Sequence, residues 1–78
     1  MATIRVLVEL KPSLLDSAGR TVAQSLAGLG FSDVHSVRIG KVITLELDDP
    51  SPERVGEMCE RLLANPVIED YRVEVVAP

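Results

Sequence analysis

Apolar and polar residues alternate strictly at the start of the chain. In TIRVLVELK, Ile4, Val6, Val8 and Leu10 fall on one side and Thr3, Arg5, Leu7, Glu9 and Lys11 on the other. That period of two predicts a strand with one buried face. Pro12 ends it, having no N–H to give to a ladder. The period then changes. In SLLDSAGRTVAQSLAGLG, Leu15, Ala18, Val22, Leu26 and Leu29 recur at helical spacing, with Arg20, Thr21, Gln24 and Ser25 opposite. Asp16 or Ser17 can cap this helix by accepting from its free N–H groups. Gly30 suits the position just past its end, where a left-handed backbone carries no Cβ penalty. Gly19 and Gly28 weaken the helix, so something other than propensity should hold it.

The second half repeats the scheme. In SPERVGEMCERLLANP, Ser51 is a suitable N-cap, Pro52 fits the first helical position and Glu53 favours the positive end of the dipole. Val55, Met58, Cys59, Leu62 and Leu63 form one stripe, and Asn65-Pro66 stops it. Alternation returns in VIEDYRVEVVA, with Tyr71, Val73 and Val75 on one face and Asp70, Arg72 and Glu74 on the other. Between the helices lies SVRIGKVITLEL. Its apolar residues Val37, Ile39, Ile43, Leu45 and Leu47 are all odd-numbered, so the parity survives passage through Gly40-Lys41. A two-residue hairpin there would put Ile43 and Leu45 on the wrong face. A three-residue loop or one long strand bent at Gly40 would keep them in place. The order is therefore β-α-β-β-α-β, with the middle pair one bent strand as the alternative. The expected class is α+β: an antiparallel sheet with two helices on one face, resembling ferredoxin-like folds.

Composition narrows the picture. Seventy-eight residues make one domain, 1–78, and Phe31 and Tyr71 are its only aromatics, so the core must be aliphatic. A core this small is marginal, and self-association is the usual remedy where neither disulfide nor metal helps. A lone Cys59 with a lone His35 offers neither. Arg5 and Glu9 interrupt the first apolar run before a signal segment could form, and no stretch is long enough for a membrane span. The expected setting is reduced and cytoplasmic. The net charge of -4 argues against nucleic acid as a partner.

Against that acidic background Arg38 and Lys41 flank Gly40. The spacing is not that of a phosphate-binding loop, because no Gly-x-x-x-x-Gly-Lys precedes a helix here. A turn with two solvated charges and an assembly surface both remain, and Lys41 at an apolar-parity position favours the second. Cys59 sits on the apolar stripe and reads as a small core residue, with no base placed to activate it. Asp48-Asp49 precede a helix and read as a solvated entry. Glu69 and Asp70, adjacent on a strand, point to opposite faces and cannot act as a dyad. No catalytic or metal-binding constellation assembles from these residues.

Three stretches together resemble one family. LLDSAGRTV is similar to its Leu-Asp-x-x-Gly-x-x-Val entry to the first helix. VHSVRIGKVITLEL is similar to its Val-x-x-Val-Arg-x-Gly-Lys strand. MCERLLANPVIEDYRVEV is similar to its Met-Cys-Glu-x-Leu-Leu-Ala-Asn-x-Val-Ile-Glu-Asp-Tyr signature. The family is PurS, the small subunit of phosphoribosylformylglycinamidine (FGAM) synthase, and the resemblance runs nearly the whole length. One departure is a short stop after Val76, expected to trim tail contacts. The resemblance implies a non-catalytic subunit of a purine-biosynthesis ligase that binds no cofactor by itself. It would pair with itself, as a homodimer or tetramer, and join a glutaminase (PurQ) to a large synthetase (PurL). The assembled complex would use ATP, Mg and glutamine, and this subunit would help ammonia pass between the others. Arg38, Gly40 and Lys41 would then form an assembly element meeting partner carboxylates or bordering the synthetase site. A second contact surface would be NPVIEDYR, through Asn65, Pro66, Glu69, Asp70 and Tyr71, with core packing of Tyr71 as the competing reading. A small-molecule-binding regulatory module of ferredoxin-like architecture is the alternative function.

Overall fold

The structure, a computed structural model, describes residues 1–77. Pro78 lies outside the described residues. Five principal elements follow in the order β1 (Ala2–Leu10), α1 (Ser17–Gly28), β2 (Gly40–Leu47), α2 (Pro52–Met58) and β3 (Glu69–Ala77). The α+β class and the antiparallel sheet are as expected, and the middle segment is one strand rather than a hairpin. β1 lies at the centre of a three-stranded sheet, β2-β1-β3, and pairs antiparallel with both neighbours.

Register puts the predicted faces together. Val6 lies between Ile43 and Val73, Ile4 between Leu45 and Val75, and Val8 between Lys41 and Tyr71. A bulge near Thr3 leaves Val76 without a partner opposite it. On the buried side, α2 lays Val55 and Cys59 against Ile4, Val6 and Val8, and these five side chains are the best-buried in the molecule. Ile43, Leu45, Leu47, Leu63 and Tyr71 pack round them, half-buried.

α2 does not end as a plain α-helix. Cys59–Leu63 form one π-helical turn, closed by the Ala64 N–H donating to the Cys59 carbonyl at 2.9 Å. One extra residue in that turn carries Ala64 into the core and Leu62 out of it, leaving Leu62 83% exposed. The expected stripe thus holds for Val55 and Cys59 and fails at Leu62. The α2 entry also differs in detail. Ser51 occupies the N-cap position without a side-chain bond, and Asp49 turns the chain instead by accepting from the Ser51 N–H at 3.1 Å.

The first helix has the cap and stop read from its sequence. Asp16 is the N-cap, and Gly30 takes a left-handed backbone at φ 98° while the Phe31 N–H reaches back to the Leu26 carbonyl at 3.0 Å. Its placement departs from two helices on one face. Only α2 covers the sheet, and no α1 side chain enters the core. The predicted α1 stripe lies open, with Leu15 68% and Leu29 74% exposed. The molecule measures 47 × 26 × 14 Å. About 30 Å of strand and about 18 Å of helix placed end to end account for that length. The radius of gyration is 15.7 Å, against about 11.5 Å for a compact chain of this size.

The aliphatic core should be sensitive to single deletions. Ile4→Ala is expected to lower unfolding free energy by about 2–5 kcal/mol, read as a shifted urea midpoint with an unchanged slope.

Candidate functional site

Between the end of β1 and the start of β2 the chain makes a joint, and one carboxylate organises it. Asp16 is buried, and its two oxygens accept from different segments: Oδ1 from the Gly19 N–H at 2.8 Å and Oδ2 from the Ile39 N–H at 2.7 Å. The first bond caps α1. The second ties that cap to the residue preceding β2. Both favour the ionised form, and they hold the carboxyl below its ordinary range, the Ile39 bond contributing most.

Arg38 closes the joint from the other side. Its Nη1 donates to the Leu14 carbonyl at 3.2 Å, and its Nη2 to the Leu10 and Lys11 carbonyls, both at 3.1 Å. These carbonyls belong to the end of β1 and the turn that follows it, where that of Lys11 also accepts from the Leu14 N–H at 2.9 Å. Close approach completes the arrangement. A Cβ on Gly19 would lie 2.3 Å from the Val37 carbonyl oxygen, and one on Gly40 would lie 2.3 Å from that of Val8. Only glycine lets the backbones pass at these two points.

The residues singled out in the sequence gather at this end of the sheet. Gly40 lies opposite Glu9, which faces Asp70 across its other edge; Lys41 and Tyr71 flank Val8 in the same way. Asp70 pairs with Lys11 at 2.8 Å. Asn65 shapes the turn into β3: its side-chain oxygen accepts from the Val67 N–H at 3.1 Å, and its own N–H donates to Glu69 Oε1 at 2.7 Å. Pro66 is exposed on that turn. The Tyr71 hydroxyl donates to Glu60 Oε1 at 3.0 Å, and this bond, more than burial, raises its pKa. Tyr71 is thus packed against the core by its ring while its hydroxyl is held at the surface. Lys41 is exposed.

The surface so formed mixes charges of both signs with apolar edges. Cys59 is fully buried and its thiol is pushed up by desolvation, the state of a packing residue and not of a nucleophile. Among the described residues no group of three or more His, Cys, Asp or Glu is placed to hold a metal, and no helix is long and apolar enough to cross a membrane. What the arrangement offers is a shaped end, rigid at its joint. Sequence reading found Asp16 as a cap but missed its bond to Ile39, 23 residues away. It also missed that Arg38 is engaged by backbone oxygens, for which no residue type gives a signal.

The chain matches the model of the family PurS: Phosphoribosylformylglycinamidine (FGAM) synthase over residues 3–77. The chain belongs to the PurS family. A Synechocystis relative, phosphoribosylformylglycinamidine synthase subunit PurS, is 46% identical over 77 residues, covering 94% of this chain and 77% of its own. The Methanocaldococcus jannaschii PurS structure superposes with a TM-score of 0.88 at 38% identity, covering 100% of this chain and 99% of that one. A chain in the structure of PurLQS from Thermotoga maritima gives 0.84 at 30% identity, with 96% of each chain covered. The Methanocaldococcus jannaschii match covers the whole of this chain, α1 included. The two short stretches that resemble PurS near the N-terminus and in the middle, LLDSAGRTV and VHSVRIGKVITLEL, are the ones that meet in the joint.

Three outcomes test the joint. The Asp16 carboxyl titrates lower in the fold than in the unfolded chain, so its contribution is complete above pH 3.8 and is lost as pH falls through the lower, folded value. Near-neutral protein should hold α1, and acidification below pH 3.8 should release it, seen as exchange broadening of the Gly19 and Ile39 amides by NMR. Asp16→Ala should remove that acid step and lower the melting temperature at pH 7 by about 4–8 °C. Gly40→Ala must push β1 and β2 apart and should destabilise by about 1–3 kcal/mol in a urea titration.

Proposed function

We propose that this chain is the non-catalytic assembly subunit of an FGAM synthase, pairing with itself and joining a glutaminase subunit to a large synthetase subunit so that ammonia passes between them. The observation that carries the reading is where the perturbed groups are. Asp16, Cys59 and Tyr71 are each engaged by the fold: one as the tie of the joint, one as core, one bonded to Glu60. Each is committed to a structural contact, the carboxylate to two N–H groups, the thiol to the core and the hydroxyl to Glu60, whereas general acid–base or nucleophilic work requires a group left available to substrate. ATP, Mg and glutamine are in this reading used by the larger subunits and not held by this chain. The Thermotoga maritima chain, from a structure of PurLQS, supports a place beside PurL and PurQ. The reaction is cytoplasmic in this reading.

The contact surface we assign to the larger subunits is the sheet end that carries Gly40, Lys41, Asn65, Pro66, Glu69, Asp70 and Tyr71, held in shape by Arg38. Lys41 is the exposed cation there and suits a partner carboxylate. Arg38 acts from within, through the three carbonyls. The two are therefore separable. Lys41→Ala should weaken binding to the larger subunits by about 2–5 kcal/mol if its charge is buried in the contact, with folding stability changed by less than about 0.5 kcal/mol. Arg38→Ala should lower stability first.

The function is tested by amidine synthesis with the matching large subunit and glutaminase, with and without this chain. Glutamine-driven synthesis should depend on the chain, and synthesis from free ammonium should depend on it less. Equal indifference of both reactions would overturn the reading.

A further inference from the structure

β3 forms one edge of the sheet, and its outer side is bare over nine residues. Which backbone groups it presents follows from one bond. The Lys11 N–H donates to the Ile68 carbonyl at 2.9 Å, so Lys11 and Ile68 are a hydrogen-bonded pair. Such pairs alternate along an antiparallel ladder. By the β1–β3 register, Asp70, Arg72 and Glu74 are then bonded to Glu9, Leu7 and Arg5, and the N–H and C=O groups of Tyr71, Val73 and Val75 point outward. The side chains of those same three residues stand on the α2 side. With Pro50, Pro52 and Val55 they line a trough of about 410 Å³, and Val73 and Val75 are exposed in it. A long bare edge of this kind is a template for another strand. It carries no proline or lysine, and its one bulge lies near its end, opposite Thr3.

The sequence of β3 is complementary to itself in one register. Outward groups meet only where odd residues face odd residues. An antiparallel pair centred on Arg72 would set Arg72 against its own copy and Asp70 against Glu74. One centred on Glu74 would set Glu74 against its own copy. Centred on Val73, Arg72 of each strand faces Glu74 of the other, Tyr71 faces Val75, and the overlap runs the whole strand, from Glu69 to Ala77. Centres further out shorten that overlap. Resting on the self-pairing proposed above, we infer that the outer edge of β3 docks β3 of a second copy, antiparallel about a two-fold axis through Val73 and perpendicular to the sheet.

Charge and apolar area agree on this seam. Arg72 and Glu74 of different copies form the non-hydrogen-bonded pairs, in which side chains stand closest. Each Glu74 then lies between Arg5 of its own β1 and Arg72 of the other copy. Within one chain Arg72 and Glu74 come no nearer than 3.8 Å. On the other face the two sets of Tyr71, Val73 and Val75 meet beside their troughs. β3 lies across β1 from β2, so the seam leaves α1, β2 and the corner at Gly40 and Lys41 free. Of the surface assigned to the larger subunits, Asn65 and Pro66 also lie outside it, Glu69 and Asp70 fall at its ends, and Tyr71 is shared.

Two opposite variants of the full chain test the seam by sedimentation equilibrium. Arg72→Glu and Glu74→Arg each set like charges against each other twice per pair of copies, and each should raise the dissociation constant of this contact at least about tenfold. Mixed in equal amounts, they restore both opposite-charge pairs between unlike chains and should associate as the wild type does. Amide hydrogen exchange reads the backbone. The Tyr71, Val73 and Val75 N–H groups have no acceptor on β1, and in the wild type they should slow at least about tenfold as concentration rises through that dissociation constant. Free exchange at all three, with both variants as associated as the wild type, would overturn the seam and leave self-pairing through other surfaces standing. A mixture that stays as dissociated as its components would overturn the seam as well. A wild type that stays monomeric throughout the titration would overturn both the seam and self-pairing.

Discussion

The shape of this protein depends on a carboxylate that accepts from two places at once. Asp16 satisfies the Gly19 N–H at the start of α1 and the Ile39 N–H at the entry to β2. A helix N-cap ordinarily settles only the helix. Here the same side chain also fixes where the returning chain must pass, and Arg38 secures the turn from the other side through three carbonyls. Gly19 and Gly40 remove the two Cβ atoms that would keep the segments apart. With the joint closed, α1 points away from the sheet and leaves it to α2 to cover.

Everything else about the single chain follows from that displacement. One helix is left to cover three strands, and it covers mainly the central one. Val6 is fully buried at the middle of the sheet while Val75, on the same face at the β3 edge, is 66% exposed. The π-turn after Met58 trades Leu62 for Ala64 in the core, reducing burial further in exchange for an apolar side chain at the surface. A soluble domain that intended to stand alone would gain from an ordinary helical turn there and from a helix folded onto its sheet. These choices are coherent for a subunit that is completed by others, as membership of the PurS family implies.

Function is consistent with the same physics. The groups that depart from their ordinary proton affinities are engaged in structure, and near the sheet end Lys11 is paired with Asp70 while Lys41 stands exposed. The end of β1, where β2 and β3 both begin, is the place at which its exposed charges and turn residues converge.

Much of this was written in the order of the residues. Alternation gave the faces of β1 and β3 correctly, because the pleat has a period of two whatever surrounds it. Asp16, Gly30 and Pro52 marked helix ends correctly, because caps depend on a few neighbouring backbone groups. Resemblance of short stretches to PurS was legible for the same reason: it is local. What the sequence could not disclose is where α1 goes. Its apolar stripe shows that it must be covered, and says nothing of by whom. Nor does local pattern announce the π-turn, whose extra residue becomes visible only when Ala64 replaces Leu62 against the sheet. The reach from Asp16 to Ile39 and from Arg38 to Leu10 spans more than twenty residues and ends on backbone atoms, which every residue possesses. The sequence by itself determined the elements, the buried faces of the strands and the family; the tertiary structure alone decided that one helix stands apart, because its placement is tied by two hydrogen bonds to a single buried carboxylate.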